Sequence, residues 1–357
     1  MTRRLTTPAG NFFEDFGLGQ VFEHGVPRTI TQGDVALYTG ITGSRFSLYC
    51  AHPVATACGF KDTPIDNFLV FHLAFGKTVN DISLNAVANL GYAEVQFFEA
   101  CYPGDTLFVS SEVIGLKENS NGKNGVVYVK SVAVNQSDKQ VVSWIRWVMV
   151  EKREQGLSNQ TATIPSYLAQ VDNPSDLIPL EANFGSWKPS YSDNQFTFDD
   201  IEVNDEIFHR DGMTINDSDH SVATRLYQNN ARVHFDGNMM ENERQSQRLV
   251  YGGQIISICR SLSYTGLSNA VWLCGINGGT HANPSYAGDT IYSHSVILDK
   301  QDICGRNDIG LVRIRTFGIK NNSPDTIGEL YAENNGRLKY HQDVVLDLDY
   351  WVAMIKR

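Results

Sequence analysis

Phe68-Leu-Val-Phe-His-Leu-Ala-Phe75 is apolar nearly all the way round when wound as a helix. A helix with no face for water must be enclosed, and the segments that follow can enclose it. Val126-Val-Tyr-Val-Lys-Ser-Val-Ala-Val134 and Gln140-Val-Val-Ser-Trp-Ile-Arg-Trp-Val-Met-Val150 are rich in β-branched and aromatic residues at strand length. The pattern predicts a helix over Ile65–Thr78 wrapped by antiparallel strands, an α+β unit.

The same pattern occurs twice. Thr29-Ile-Thr-Gln-Gly-Asp34 returns as Thr214-Ile-Asn-Asp-Ser-Asp219, an offset of 185 (214 − 29). Tyr102-Pro-Gly-Asp-Thr106 returns as Tyr286-Ala-Gly-Asp-Thr290, and Gly125-Val-Val as Gly310-Leu-Val. Chance similarity does not hold register over such a span, so the chain is read as a duplicated unit. In each copy a short helix with a Thr or Asn cap precedes one apolar helix, the second predicted over Gly252–Tyr264. A helix wrapped by antiparallel strands is the hot-dog arrangement, and two in tandem make a double hot dog. The expected units are residues 1–153 and 196–357. A Pro-, Ser- and Asn-rich connector, residues 154–195, is expected to pack in part through Leu168, Leu177 and Trp187. Between matching landmarks the first copy has Ser44 and Tyr49 where the second has Asn229 and His234. That asymmetry predicts one chemically active half and one supporting half.

Composition narrows the function. The 357 residues are 42% hydrophobic and 19% charged, which suits two globular units. A net charge of −11 argues against nucleic-acid or anionic-membrane binding, which wants a broad positive field. No run approaches the ~18 apolar residues of a membrane span, and no signal segment is read at the N-terminus. The six cysteines show no C-x-x-C or paired spacing, so reduced thiols in a cytoplasmic protein are expected rather than disulfides or a metal site. Gly76-Lys-Thr78 echoes a phosphate loop, but it lies within the apolar helix, where no phosphate can be cradled.

Longer stretches carry a family likeness. Asn11-Phe-Phe-Glu-Asp-Phe-Gly-Leu-Gly-Gln20 resembles the opening of MaoC-like acyl-CoA hydratases. Leu69–Thr78, Asp81–Tyr92, Arg225–Asp236 and Leu249-Val-Tyr-Gly-Gly-Gln254 resemble, more narrowly, the mesaconyl-CoA hydratase (β-methylmalyl-CoA dehydratase) branch, and the likeness covers nearly the whole chain. It implies reversible hydration of an α,β-unsaturated dicarboxylyl-CoA, mesaconyl-CoA giving β-methylmalyl-CoA. It implies no metal or redox cofactor, coenzyme A arriving with the substrate, and a homodimer of chains. The broader family carries D-x-N-P-x-H. Here the same spacing holds Asn229 and His234, with Ala231-Arg232 in place of Asn-Pro.

Adding water across an unsaturated thioester needs a base, a proton for Cα and donors for the enolate-like oxygen. His234 is the expected base, since imidazole is mostly neutral at pH ~7. Asn229 cannot take a proton but can hold the water through its amide. Asp236 is the nearest carboxylate, able to orient the imidazole, act as acid or simply cap a loop. Gly252-Gly253 opens the second apolar helix, whose free N–H groups suit an oxyanion, whereas the first copy has Asn67-Phe68 there. Arg45 and Arg232 are the expected partners for a free substrate carboxylate, with solvated surface arginines as the alternative. Lys61, Arg248 and Arg260 are weaker candidates for coenzyme A phosphates. The other eight histidines, His72 and His281 among them, are read as structural. Two rival functions remain, an acyl-CoA thioesterase and a non-catalytic CoA-thioester binding protein.

Overall fold

The computed structural model describes residues 10–158, 161–193, 195–241, 247–334 and 337–357; the stretch read for a signal segment begins outside them. Strand β1 (Val21–Thr29) leads into α1 (Gln32–Thr42), the short α2 (Ser47–Cys50) and α3 (His52–Ala57), and the long buried α4 (Asn67–Lys77). Strands β2 (Ala86–Phe97), β3 (Thr106–Glu118), β4 (Asn124–Val134) and β5 (Gln140–Glu151) complete the first half. The second half repeats this order with β6 (Glu206–Thr214), α5 (Asp217–Leu226), α6 (Gly237–Glu241), α7 (Gly252–Leu262), β7 (Ala270–Thr280), β8 (Thr290–Asp302) and β9 (Ile309–Lys320). A hairpin of β10 (Tyr331–Asn334) and β11 (Arg337–Tyr340) precedes the last strand, β12 (Val344–Ile355).

The duplication is exact in places. Helices α4 and α7 begin 185 residues apart (252 − 67), as do β1 and β6 (206 − 21). The final strands begin 204 apart (344 − 140), because the β10–β11 hairpin is inserted before β12.

Ten strands form one antiparallel sheet in the order β1-β3-β4-β5-β2-β7-β12-β9-β8-β6. The second half therefore runs through the first half's order in reverse, and the two join where β2 pairs with β7 (Tyr92↔Gly279, Ala93↔Gly278). At the join of the helices, His72 Nε2 and Ser257 Oγ share a hydrogen bond of 2.9 Å. These residues are 185 apart, so equivalent positions of the two halves meet on a local two-fold.

Sequence explains the helices locally. Thr31 Oγ1 accepts from the Asp34 N–H and Asp34 Oδ2 from the Thr31 N–H, a reciprocal cap at the start of α1. At α5 the Asp219 carboxylate accepts from the Asn216 N–H at 3.3 Å and from its side-chain Nδ2 at 2.8 Å. All of α4 is buried, and in α7 everything after Gly252. Each Phe, Leu or Ile so enclosed contributes roughly 1.5–3 kcal/mol of apolar burial. The other face of the sheet is covered by the connector. Trp272 Nε1 donates to the Leu177 carbonyl (3.0 Å) and Trp187 Nε1 to Asn269 Oδ1 (3.0 Å), while Phe184 packs with Phe60. Leu177 is buried and Trp187 packs as expected, but the Leu168 side chain is 54% exposed, and that residue is held instead by its backbone N–H donating to Glu94 Oε1 at 2.5 Å. All six cysteines are free thiols. No helix among the described residues is long and apolar enough to cross a membrane.

Candidate active site

A cavity of about 460 Å³ opens at the seam between the halves. The first half lines it from α4 (Phe71, Phe75), β2 (Tyr92) and β5 (Arg146), and the second with Asn229, Arg232, His234, Tyr251, Gly252, Gly253 and His281.

The segment after α5 sets out the polar groups. His234 closes a single 3-10 turn, Arg232–His234, and its Nδ1 lies 2.8 Å from the Leu249 carbonyl. A carbonyl only accepts, so Nδ1 carries the proton and Nε2 keeps its lone pair. The ring packs against Tyr251, with centroids 5.5 Å apart. Loss of water pushes the His234 pKa down to about 4, against the opposing pull of the Leu249 carbonyl, so the imidazole is neutral. Asn229 is buried, and its Oδ1 accepts from the Ala231 N–H at 3.1 Å. An N–H only donates, so that bond assigns the amide oxygen and leaves Nδ2 as the donor group.

The start of α7 supplies the third part. In α4 the N-cap is Asp66, whose carboxylate accepts from the Phe68 N–H at 2.9 Å. The equivalent N-cap of α7 is Tyr251, which makes no side-chain cap. In the first turn of α7 the Gln254 N–H donates to the Tyr251 carbonyl, and the Gly252 and Gly253 amides have no partner among the described residues. Rings crowd the two glycines: a Cβ on Gly252 would lie 2.4 Å from His281 Cε1, and one on Gly253 2.3 Å from the Tyr251 ring and 2.7 Å from His72 Nδ1. The space a side chain would fill is therefore occupied by imidazole and phenol.

Three imidazoles cluster here. Burial holds His281 down to about 4, with His234 adding repulsion, and His72 down to about 3, with His281 adding repulsion. His281 was read as structural because a lone histidine after a strand carries no motif. Its place on the cavity wall comes from the pairing of β7 with β2, which brings Tyr92 within 6.0 Å of its ring. Arg146 was also missed. It is fully buried, stacked 4.4 Å over the Phe75 ring, and in sequence it is one polar residue in an apolar strand.

Other expected residues lie elsewhere. Arg232 is exposed at the cavity mouth. Asp236 does not line the cavity; its Oδ1 accepts from the Met239 N–H at 3.0 Å and caps α6, the structural alternative. Arg45 stacks on Tyr264 at 4.6 Å, in the first-half loop equivalent to the His234 loop, away from the cavity. Lys61 lies over the Tyr102 ring and Arg248 pairs with Asp217. Arg260 is buried against Phe46 at 3.7 Å, so it cannot meet a coenzyme phosphate at the surface. In the first half, Tyr49 is buried against Trp272, filling the place where His234 stands in the second.

Two hot-dog units in one sheet, with a cluster of neutral imidazoles and the uncapped start of α7 at their seam, define a double hot-dog protein with an asymmetric candidate site. The chain belongs to the mesaconyl-CoA hydratase family, whose pattern matches residues 1–330. It is 50% identical to the β-methylmalyl-CoA dehydratase of Chloroflexus aurantiacus, covering 98% of this chain and 99% of that one. It is 42% identical to the mesaconyl-CoA hydratase of Cereibacter sphaeroides, covering 99% and 100%. A crystal structure of a MaoC domain protein dehydratase from Chloroflexus aurantiacus superposes with a TM-score of 0.94 at 49% identity, over 99% of this chain and 100% of that one. A Mycobacterium tuberculosis protein described as a double hotdog fold shares the fold at 22% identity, with a TM-score of 0.74 over 98% of this chain and 99% of that one.

Proposed function

We propose that this chain catalyses reversible hydration of mesaconyl-CoA to β-methylmalyl-CoA, with His234 and Asn229 holding the water. The observation that carries the reading is the His234 tautomer: Nδ1 is tied to the Leu249 carbonyl and Nε2 has no hydrogen-bond partner among the described residues, in a cavity that Asn229 also lines. Asn229 Nδ2 donates to the water oxygen, and the water donates to His234 Nε2. As the water oxygen bonds to the β-carbon, its proton passes to Nε2 and charge moves onto the thioester oxygen. The amides of Gly252 and Gly253 stabilise that oxygen at the start of α7. The new imidazolium then returns its proton to Cα, so water has added across the double bond and the enzyme is unchanged. A desolvated imidazolium is a stronger acid than one in water, which favours this return.

The first unit acts as the other wall of the acyl site, its own Ser44 and Tyr49 having no base to offer. The scheme uses water and side chains, with coenzyme A entering as part of the substrate. Free thiols agree with a cytoplasmic place. The reading for assembly is a homodimer of chains.

The test follows the enoyl-thioester absorbance and free thiol together while the protein is mixed with mesaconyl-CoA. Loss of the band without thiol is expected, and His234→Ala should slow it by roughly 10²–10⁴-fold while leaving ligand affinity in place. Release of thiol would instead mean thioester hydrolysis. Wild-type protein that binds the thioester and changes neither signal would be a binding protein.

A further inference from the structure

Arg146 carries a buried charge that no carboxylate among the described residues pairs with. It sits on β5 opposite Tyr92 of β2, with 0% of its surface exposed. Nη2 donates to Ser83 Oγ at 3.3 Å, while Nε and Nη1 have no hydrogen-bond partner among the described residues. No carboxylate oxygen of those residues lies within 4.0 Å of it. Glu151, the acid that lines the same cavity, is exposed. A fold does not keep a guanidinium dry and unpaired without a reason, because burying a lone ion is strongly unfavourable.

The duplication supplies a control. Arg146 and Tyr350 are each the seventh residue of their strands, and Phe75 and Arg260 each the ninth of their helices. The two halves thus exchange an arginine and an aromatic between the same two positions. In the second half Arg260 donates through Nη2 to the Ala270 carbonyl at 2.5 Å and lies in the field of Asp66, while its Nη1 has no partner among the described residues. A carboxylate of the chain thus offsets that charge in part. Arg146 has no such offset, and it forms part of the cavity that holds His234 and Tyr251.

We infer that Arg146 is the anchor for the free carboxylate at the acyl end of the substrate, reaching across the seam from the first half to a site whose water-holding groups come from the second. This rests on the hydratase reading for its substrate. The guanidinium offers several donors to a planar anion, and Phe75 behind it limits its movement. Arg45, stacked on Tyr264 outside the cavity, and Arg232 are both exposed to solvent.

The experiment compares wild type with Arg146→Met and Arg146→Lys on mesaconyl-CoA and on crotonyl-CoA, an enoyl thioester without the second carboxylate. Met should lower kcat/KM for mesaconyl-CoA by on the order of 10²–10³-fold and leave crotonyl-CoA within a few-fold, with Lys between. Calorimetry with succinyl-CoA and butyryl-CoA, which have no double bond to hydrate, reads the same claim without turnover. Wild type should prefer succinyl-CoA, and Arg146→Met should lose the preference. Equal losses on both thioesters would make Arg146 merely structural, and an unchanged preference in folded Arg146→Met would place the anchor elsewhere; either overturns the inference. Wild type that prefers succinyl-CoA yet leaves mesaconyl-CoA unhydrated would overturn the hydratase reading and leave the carboxylate site standing.

Discussion

At the scale of single residues, His234 decides how the protein should respond to acid. A base must be neutral, and burial holds this imidazole neutral down to about pH 4. The kcat/KM profile reports the free enzyme, so its acid limb should fall away near pH 4 rather than near the ~6.5 of an ordinary imidazole. Brief initial-rate assays between pH 3.5 and 8 measure this: nearly full kcat/KM at pH 5.5 is expected, and half-loss there or above would mean that the ring is well solvated. The residue scale is also where sequence reading was most uneven. Asn229, His234 and the glycine pair were legible because the repeat offers a first-half residue to set against each. Asp236 stood equally close in sequence, but its carboxylate is used at the head of α6. His281 and Arg146 reach the site only through strand pairing across the seam, and no local spacing announces that.

At the scale of elements, the two central helices differ at their N-termini. The Asp66 carboxylate caps the N-terminus of α4, while the N-cap of α7, Tyr251, makes no side-chain cap. Both helices were legible to within a few residues, since an all-round apolar run admits little else. The role of Gly76 was not. Its echo of a phosphate loop was rightly set aside, but the reason for the glycine is tertiary: a Cβ there would stand 1.9 Å from the Tyr227 carbonyl oxygen. In an open helix Gly→Ala stabilises by ~1 kcal/mol. Here the contact is backbone, which cannot swing aside, so the sign reverses. Gly76→Ala should lower stability by about 2 kcal/mol or more, read as a lower urea midpoint at an unchanged m-value. A midpoint equal to or above that of the native protein would mean that the two helical regions separate easily.

At the scale of the whole molecule, the duplication raises the question of how many sites the chain carries. The sheet is two-fold in its strand order, and His72 meets Ser257 on the local axis, so the fold alone would allow two. The side chains allow one. In the first half the His234 position is Tyr49, packed on Trp272; the helix N-terminus is occupied by Asp66; and Phe46 lies against Arg260 and Tyr264. Reopening that half would mean displacing several buried aromatics together, each contributing roughly 1.5–3 kcal/mol of burial, far more than one thioester can offset. Titration of the purified chain with an unreactive acyl-CoA should therefore saturate at one equivalent per chain, whatever the assembly state. The asymmetry also predicts how the site depends on its halves. Arg146 and Phe75 come from one unit and Asn229 and His234 from the other, so neither unit holds a complete site. Two equivalents per chain, with similar affinity, would mean that the aromatic filling of the first half yields to ligand, and the division into a reacting half and a supporting half would have to be abandoned.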